Sequence, residues 1–409
     1  MNREELYDLS VTIGKMALSE TPTRIIVSEY LETLSRAGVT MGRASIGVAT
    51  IDPRLSGYNY VWLRDAGMER NDFSIRDESK DNPDWMNSPI YALVQQGMVE
   101  QGDTTLRYPL TGEKASHAYP VFDEFRAMGL TEWYGQIVAF SLTARQHDFG
   151  EIGMVCTFQS DAEGGFSDEE CQYLDAALPI FALAMKTRLL REIGESLLQS
   201  YLGRDAGSRV FSGEISRGSI SEIPAVLMIA DLRGFTAMAN TMPLPETVSL
   251  LNNYLDMLVT PIEQHGGQVL KFMGDGLLAI FPYQHKGRRA TRAAIAATRE
   301  ARRAIARFNG TQDADRAMPA DIALHLGDVY YGNVGSENRL DFTVIGPAVN
   351  EASRMEGLCR KLGADVVISE SFRNACPDIS LPSLGHHELR GIPGSREIFT
   401  LPPESGNAS

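Results

Sequence analysis

The stretch GGQVLKFMGDGLLAIFP, from Gly266 to Pro282, reads as an apolar strand, a Gly-Asp-Gly turn and a second apolar strand. Two charges interrupt it: Lys271 in mid-strand and Asp275 at the tip. Each costs free energy in an apolar hairpin unless it is paired or put to use. The neighbouring segments set the hairpin in a larger pattern. AVLMIAD (Ala225 to Asp231) reads as a buried strand. LPETVSLLNNYLDMLVTPIEQHGG reads as an amphipathic helix, with Pro245 near its start and Gly266 after its end. Past the hairpin, GRRATRAAIAATREARRAIARFNG predicts a basic helix with a solvated outer face. DIALHLGDVYYGNVG predicts a strand, a turn and another strand. GPAVNEASRMEGLCRKLG predicts a helix, and ADVVISES a strand. The order β-α-β-β-α-β-α-β predicts an α/β (α+β) fold: a ferredoxin-like layer with additions.

The first half of the chain is organised differently. ASIGVATID and QIVAFSLTA read as strands. The polar stretch from Arg64 to Pro89 reads as loop with one weak strand. A long helix is expected from Phe166 to Gly203, with Ser167 as N-cap and Glu169 and Glu170 in its first turn. Gly203 to Pro224 is rich in Gly, Ser and charge and reads as a connection. The expected domains are 1–190, a helix and linker over 191–222, a second domain over 223–402, and a disordered tail over 403–409.

With 409 residues and a formal net charge of -15, the chain lacks the basic face that nucleic-acid binding needs. A nucleotide substrate is still allowed, because a local site can be positive on an acidic protein. The four cysteines form no close pair, which fits neither a disulfide framework nor a zinc site and points to a reducing cytoplasm. MNREELYDLS has no apolar signal core, and ALPIFALAM is too short to span a bilayer, so a soluble chain without membrane contact is expected.

Asp231 ends one strand and Asp275 tips the hairpin. In a β-α-β-β unit the two can converge at one end of the sheet. Paired carboxylates repel unless a cation sits between them, and hard dications such as Mg²⁺ favour a few carboxylates plus phosphate oxygens. Taken singly, each aspartate is ordinary turn chemistry. Gly234 in LRGFT permits a tight backbone whose N–H groups can face a phosphate, although the lysine of a P-loop is missing. Asn350 and Arg354 are spaced i, i+4 and share one helical face. From spacing alone that face reads as solvated surface. An amide and a guanidinium there can also bind a sugar oxygen and a phosphate.

IADLRGFT, LKFMGDGLLAIF, ALHLGDVYYGNVG and DFTVIGPAVNEASR follow one another in this order. Together they closely resemble the class III nucleotidyl cyclases over roughly Ile223 to Pro402. The resemblance implies that Asp231 and Asp275, helped by the Leu232 carbonyl, hold two Mg²⁺ or Mn²⁺ ions. It implies that Gly234, Phe235 and Thr236 cradle the phosphates. It also implies that Asn350 orients the ribose and that Arg354 stabilises charge on the α-phosphate. Lys271 matches the family's purine-reading lysine, and Thr343 the second purine reader. Threonine there marks the subgroup called class IIIb. The implied substrate is ATP and the implied product cyclic AMP. A further basic group near the C-terminal strand has only a loose match, Arg390. The family works as a head-to-tail dimer with shared sites, which implies a homodimer in which Lys271 and Asp275 serve different sites.

Residues from about Thr23 to Leu190 resemble a GAF-type sensor domain, through GGFSDEECQYLDAALPIFALAM. A small-molecule or protein regulator is the implied partner, its identity unknown. Trp62, Trp85, Tyr91, Trp133 and Tyr134 can line a pocket, but aromatics are more often core. His117 and His147 have no ligand spacing. The rival expectations are a guanylate cyclase, against which Lys271 speaks, a silent nucleotide-binding dimeric regulator, and a polymerase-like palm.

Overall fold

A computed structural model describes residues 3–52, 55–74, 82–100, 104–140, 153–284, 287–311 and 317–402, without the side chains of residues 98–100 and 236. The expectations for the tail over 403–409, for the strand residues 141–144, for the polar stretch over 75–81 and for His147 lie outside the described residues. The chain divides into two compact units, Met1–Leu197 and Leu198–Ser409.

The first unit begins with helices α1 (Arg3–Leu18) and α2 (Thr23–Arg36) and strands β1 (Met41–Ala49), β2 (Leu55–Leu63) and β3 (Gly67–Ser74). It continues with α3 (Pro83–Met86), α4 (Pro89–Glu100), β4 (Thr104–Pro109), α5 (Val121–Ala127), β5 (Glu132–Ala139), β6 (Gly153–Ser160) and all but the last five residues of α6 (Asp168–Leu202). The strands form one six-stranded antiparallel sheet in the order β3-β2-β1-β6-β5-β4. The weak strand of the polar stretch is β3. Ser167 caps α6 as its sequence suggests. The Glu170 N–H donates to Ser167 Oγ at 3.2 Å, and the Ser167 N–H donates to Glu170 Oε2 at 2.7 Å. Each side chain thereby satisfies an otherwise orphaned backbone donor. Trp62, Trp133 and Tyr134 are buried core residues, Tyr134 donating to the Asp175 carboxylate at 2.5 Å, while Trp85 and Tyr91 meet edge to face.

The second unit contains α7 (Arg204–Phe211), β7 (Ile220–Leu232), α8 (Phe235–Ala239), α9 (Leu244–Gln264), β8 (Gln268–Met273), β9 (Gly276–Pro282) and α10 (Arg288–Asn309). Then come β10 (Ala320–Gly335), β11 (Leu340–Ile345), α11 (Pro347–Glu356), α12 (Cys359–Leu362), β12 (Val366–Ser369), α13 (Glu370–Ala375), β13 (Ser383–Glu388) and β14 (Ser395–Phe399). Its sheet runs β13-β14-β12-β10-β7-β9-β8, with β11 paired to β10. The order β10-β7-β9-β8 is the ferredoxin-like arrangement expected from the sequence. The continuous apolar run of β7 has a simple cause, because both faces of the strand are covered. Val226, Met228, Ala230 and Leu232 pack with Tyr254 of α9 and Ala294 of α10. Ala225, Leu227 and Ile229 pack on the other face with Ala206 of α7 and Ala348 and Ala352 of α11.

Two expectations are corrected. Gly203 to Pro224 is not a plain connection, for it holds α7 and the start of β7. Small residues permit this: Ala206 and Gly207 are buried, and a Cβ on Gly207 would lie 2.5 Å from the Gln199 nitrogen. The segment 321–335 contains no turn. It is one strand whose pairing with β7 runs unbroken from Ala320↔Leu232 to Gly332↔Ile220. Gly327, which suggests a turn, is needed for close packing instead. A Cβ there would lie 2.7 Å from the Ala348 Cβ on α11. Among the described residues no helix is long and apolar enough to cross a membrane.

Candidate active site

Asp231 lies at the end of β7, half-buried, on the face that α11 covers. Ala230 pairs with Leu277 at the start of β9, and Met273 pairs with Gly276, so Gly274 and Asp275 form the two-residue turn. Gly276 is pressed against the end of β7: a Cβ there would lie 2.6 Å from the Ala230 oxygen and 3.0 Å from Asp231 Oδ1. The ladder thereby brings Asp231 and Asp275 to one end of the sheet. Burial raises the Asp231 pKa, and the charge of Asp275 beside it raises it further. The charge of Arg360 and, less strongly, the Leu232 N–H donating to the Asp231 carboxylate work in the opposite direction. The Leu232 side chain itself is buried in the core.

Other acids crowd this end, and no local motif announces them. Asp321, fully buried, is the register partner of Asp231 across the β7–β10 ladder. It accepts from Arg233 Nε at 3.1 Å and lies 3.5 Å from Arg360 Nε. Glu356, at the end of α11, is pushed up to about 7 by burial, with the charges of Asp231 and Asp321 adding to the effect. Tyr254 of α9 is buried with its hydroxyl lacking a hydrogen-bond partner, and burial, with the charge of Asp231 adding to it, raises its pKa. The nearby guanidiniums of Arg233 and Arg360 both engage Asp321, and no ion pair to Asp231 or Asp275 occurs among the described residues. A half-buried carboxylate pair with no direct ion pair of its own is an electrostatic fit for divalent metal. Among the described residues no three His, Cys, Asp or Glu side chains are grouped to hold an ion. A metal here therefore needs the two aspartates completed by backbone and ligand oxygens.

Gly234 adopts the left-handed conformation, φ +84°, and starts the short helix α8. Phe235 packs half-buried against the core. The Thr236 side chain lies outside the described residues. Lys271 is half-exposed on β8 and reaches across to β11, where its Nζ donates to Asp341 Oδ2 at 3.3 Å. Thr343, two residues along β11, is 6% exposed, and its hydroxyl is buried without a partner. Alternation along the strand puts Asp341 and Thr343 on one face. On α11, Ala348, Ala352 and Met355 are buried, which turns Asn350 and Arg354 to the exposed side. No hydrogen bond or ion pair joins either side chain to Asp231, Asp275, Lys271 or Thr343 among the described residues. Arg390 is exposed.

Residues 221–402 match the family described as the adenylate and guanylate cyclase catalytic domain. An adenylate cyclase of Anabaena cylindrica is 35% identical over 172 residues, which cover 40% of this chain and 33% of that protein. The chain thus spans about a third of the length of that curated relative. Among solved structures, a bacterial light-regulated adenylyl cyclase is 25% identical with a TM-score of 0.40, covering 44% of this chain and 91% of that one. The guanylyl cyclase Cya2 is 26% identical with a TM-score of 0.38, covering the same shares.

Proposed function

We propose, from the match of residues 221–402 to the adenylate and guanylate cyclase catalytic domain, that the protein is an adenylate cyclase. It would convert ATP to 3′,5′-cyclic AMP and pyrophosphate at sites shared by two copies of the chain. The observation that carries this is the convergence of Asp231 and Asp275 at one end of the sheet, where the nearest guanidinium, Arg360, pairs with Asp321.

Asp231 and Asp275, with the Leu232 carbonyl, would hold two Mg²⁺ or Mn²⁺ ions, which supply the Lewis acidity for attack of the ribose 3′-oxygen on the α-phosphorus. Gly234, left-handed at the start of α8, leaves the first N–H groups of that helix, those of Phe235 and Thr236, which would donate to the phosphates. Asn350 orients the ribose. Arg354 donates to the α-phosphate as its charge grows. Lys271 and Thr343 meet the purine. The lysine donates to a ring nitrogen, and the threonine hydroxyl, lacking a protein partner, accepts from the adenine amino group. Guanine presents donors at that edge, which disfavours Lys271 as its reader. A guanylate cyclase is the second reading, because the Thr343 hydroxyl can donate as well as accept. Exposed apolar side chains at Phe272, Met273, Leu340 and Ile345 surround these positions and suit a second copy as cover. The first unit would act as a GAF-like regulatory domain in the cytoplasm.

The direct test is purified full-length protein with Mn²⁺ and either ATP or GTP, products separated by chromatography. Cyclic AMP from ATP is expected. Cyclic GMP alone would make it a guanylate cyclase, and no turnover of either a silent regulator. The shared site has its own test. Asp231→Ala and Arg354→Ala homodimers should each be nearly inactive. Mixed with subunit exchange, they should recover about a quarter of wild-type activity, since half the dimers are mixed and one of their two sites is intact. No recovery, with exchange shown independently, refutes the shared site.

A further inference from the structure

The two residues proposed to read the purine stand on strands with a single ladder each. Lys271 is on β8, which ends the sheet beside β9, and Thr343 is on β11, which pairs with β10. The β8 ladder also slips between Val269 and Lys271. A slip of this kind disrupts the pairing locally and bends the strand. Among the described residues no ladder joins β8 to β11. The Lys271–Asp341 pair spans the two strands, but both side chains are exposed, which makes it a weak tie. The separation of the strands is thus set by what packs behind them.

Helix α7 packs against both. Ala206 is buried in one cluster with Leu270 of β8 and with Phe342 and Val344 of β11. Leu202, just before α7, and Val210, near its end, pack on the same cluster. A Cβ on Gly203, which opens the helix, would lie 2.8 Å from the Val269 carbonyl oxygen, at the slip in β8. Near the other end of α7, Arg209 pairs with Asp205 at 2.9 Å and with Glu214 at 3.4 Å. Its guanidinium lies over the Tyr331 ring, 5.4 Å from the centroid. Tyr331 is buried and meets Phe342 edge to face, with ring centroids 4.8 Å apart. The chain after α7 is tied to the same place. Asn333, the register partner of Phe342, is buried, and its Nδ2 donates to the Glu214 carbonyl at 2.6 Å. Phe342 and Thr343 are neighbours on β11, so alternation sends the phenylalanine to the α7 side and the threonine to the opposite face.

We propose that α7 is a positioning element for base selection: it sets the distance between Lys271 and Thr343, and Arg209, stacked on Tyr331, is the positioning residue that holds it there. Arg209 acts through Tyr331 and Phe342, not on the nucleotide itself. The inference rests on the purine-reading roles proposed for Lys271 and Thr343, so its test separates the two.

The test compares turnover of ATP and GTP with Mn²⁺ in the full-length chain and its variants. Arg209→Met keeps an apolar stem against the ring and removes the charge. It should lower the ratio of kcat/KM for ATP over GTP by about threefold, the factor that a cation–π contact at a half-exposed site corresponds to. The change should lie in KM, with kcat kept. Arg209→Lys should recover most of the ratio, since an ammonium still faces the ring. Glu214→Gln removes an ion pair from the same arginine without touching the ring and should leave the ratio as it is. Hydrogen exchange over residues 340–345, which needs no turnover, should quicken in Arg209→Met and stay as in wild type in Glu214→Gln. Unaltered exchange in Arg209→Met overturns the proposal whatever the substrate. An unaltered ratio in Arg209→Met, where Lys271→Ala lowers it, also overturns the proposal. An unaltered ratio in Lys271→Ala overturns the purine-reading role of Lys271 instead, and with it the base selection assigned to α7.

Discussion

The two glycines that flank Asp275 are there for different reasons, and substituting each in turn separates fold from site. Gly274 is exposed, its φ is +69°, and a Cβ would meet no heavy atom within 4 Å. Gly274→Ala therefore costs only the left-handed backbone, about 1 kcal/mol. Gly276 is buried, and its Cβ would stand 2.6 Å from the Ala230 oxygen. Ordinary contact begins near 3.4 Å, so the hairpin tip must retreat from β7 by about 0.8 Å. Overpacking of this kind costs about 1–3 kcal/mol. The displaced element is the one that holds Asp275 beside Asp231, and a misplacement near 1 Å costs about 100-fold in rate. Gly276→Ala should thus lose about 100-fold in turnover while remaining folded, whereas Gly274→Ala should lose similar stability and keep most of its activity. Urea melts and initial rates of product formation with Mn²⁺ measure both. Near wild-type turnover in Gly276→Ala, or equal loss in the two variants, would refute the placement of the tip against β7.

Asp231→Ala or Asp275→Ala should abolish turnover and leave dimerisation intact by sedimentation; near-normal cyclic AMP production by either would remove both from the metal assignment. Lys271→Glu should weaken the preference for ATP over GTP, and because it would set a carboxylate beside Asp341, the comparison belongs in an Asp341→Asn background; unchanged selectivity there would show that Lys271 does not read the purine. Glu356, pushed up to about 7, is disfavoured as an anion in the folded chain, so it takes stability away progressively as pH rises from the ordinary carboxyl range to about 7 and takes none below it. Glu356→Gln should therefore stabilise the metal-free protein at pH near 8 and make no difference at pH about 4; a pH-independent effect in denaturant melts would contradict the acidic crowding around Asp231.

Much of this was legible in the sequence because the signals are local. The hairpin announces itself by apolar runs on either side of Gly-Asp-Gly. The α6 cap is written in Ser167 and Glu170, three residues apart. Other features depend on residues far apart in the chain. Asp321 reaches Asp231 only through the β7–β10 register, and nothing near Asp321 in the chain marks it. The same holds for Lys271 and Asp341, joined across β8 and β11. Gly327 misleads in a third way. Glycine beside aspartate is the usual composition of a turn, yet here the missing Cβ makes room for Ala348 on a helix not yet formed in a linear reading.

The orientation of α11 bears on the proposal that two copies of the chain share each site. Glu356 is turned toward Asp231 and Asp321, whose charges it feels. Arg354 precedes it by two residues, which on an α-helix is a rotation of about 200°. Arg354 therefore projects from the opposite side of the helix, into solvent, and Asn350 shares its face one turn earlier. The burial of Ala348, Ala352 and Met355 fixes this orientation, so Arg354 faces away from the side on which Glu356 meets Asp231. Lys271 diverges likewise. It stands on the same hairpin as Asp275 but leans across to β11, while Asp275 joins β7 at the sheet end. On the proposed roles, each chain would thus present its metal-binding carboxylates in one direction and its nucleotide-binding groups in another. Two copies related by a two-fold axis would bring the unlike halves together twice, and neither copy would need to change its fold to do so.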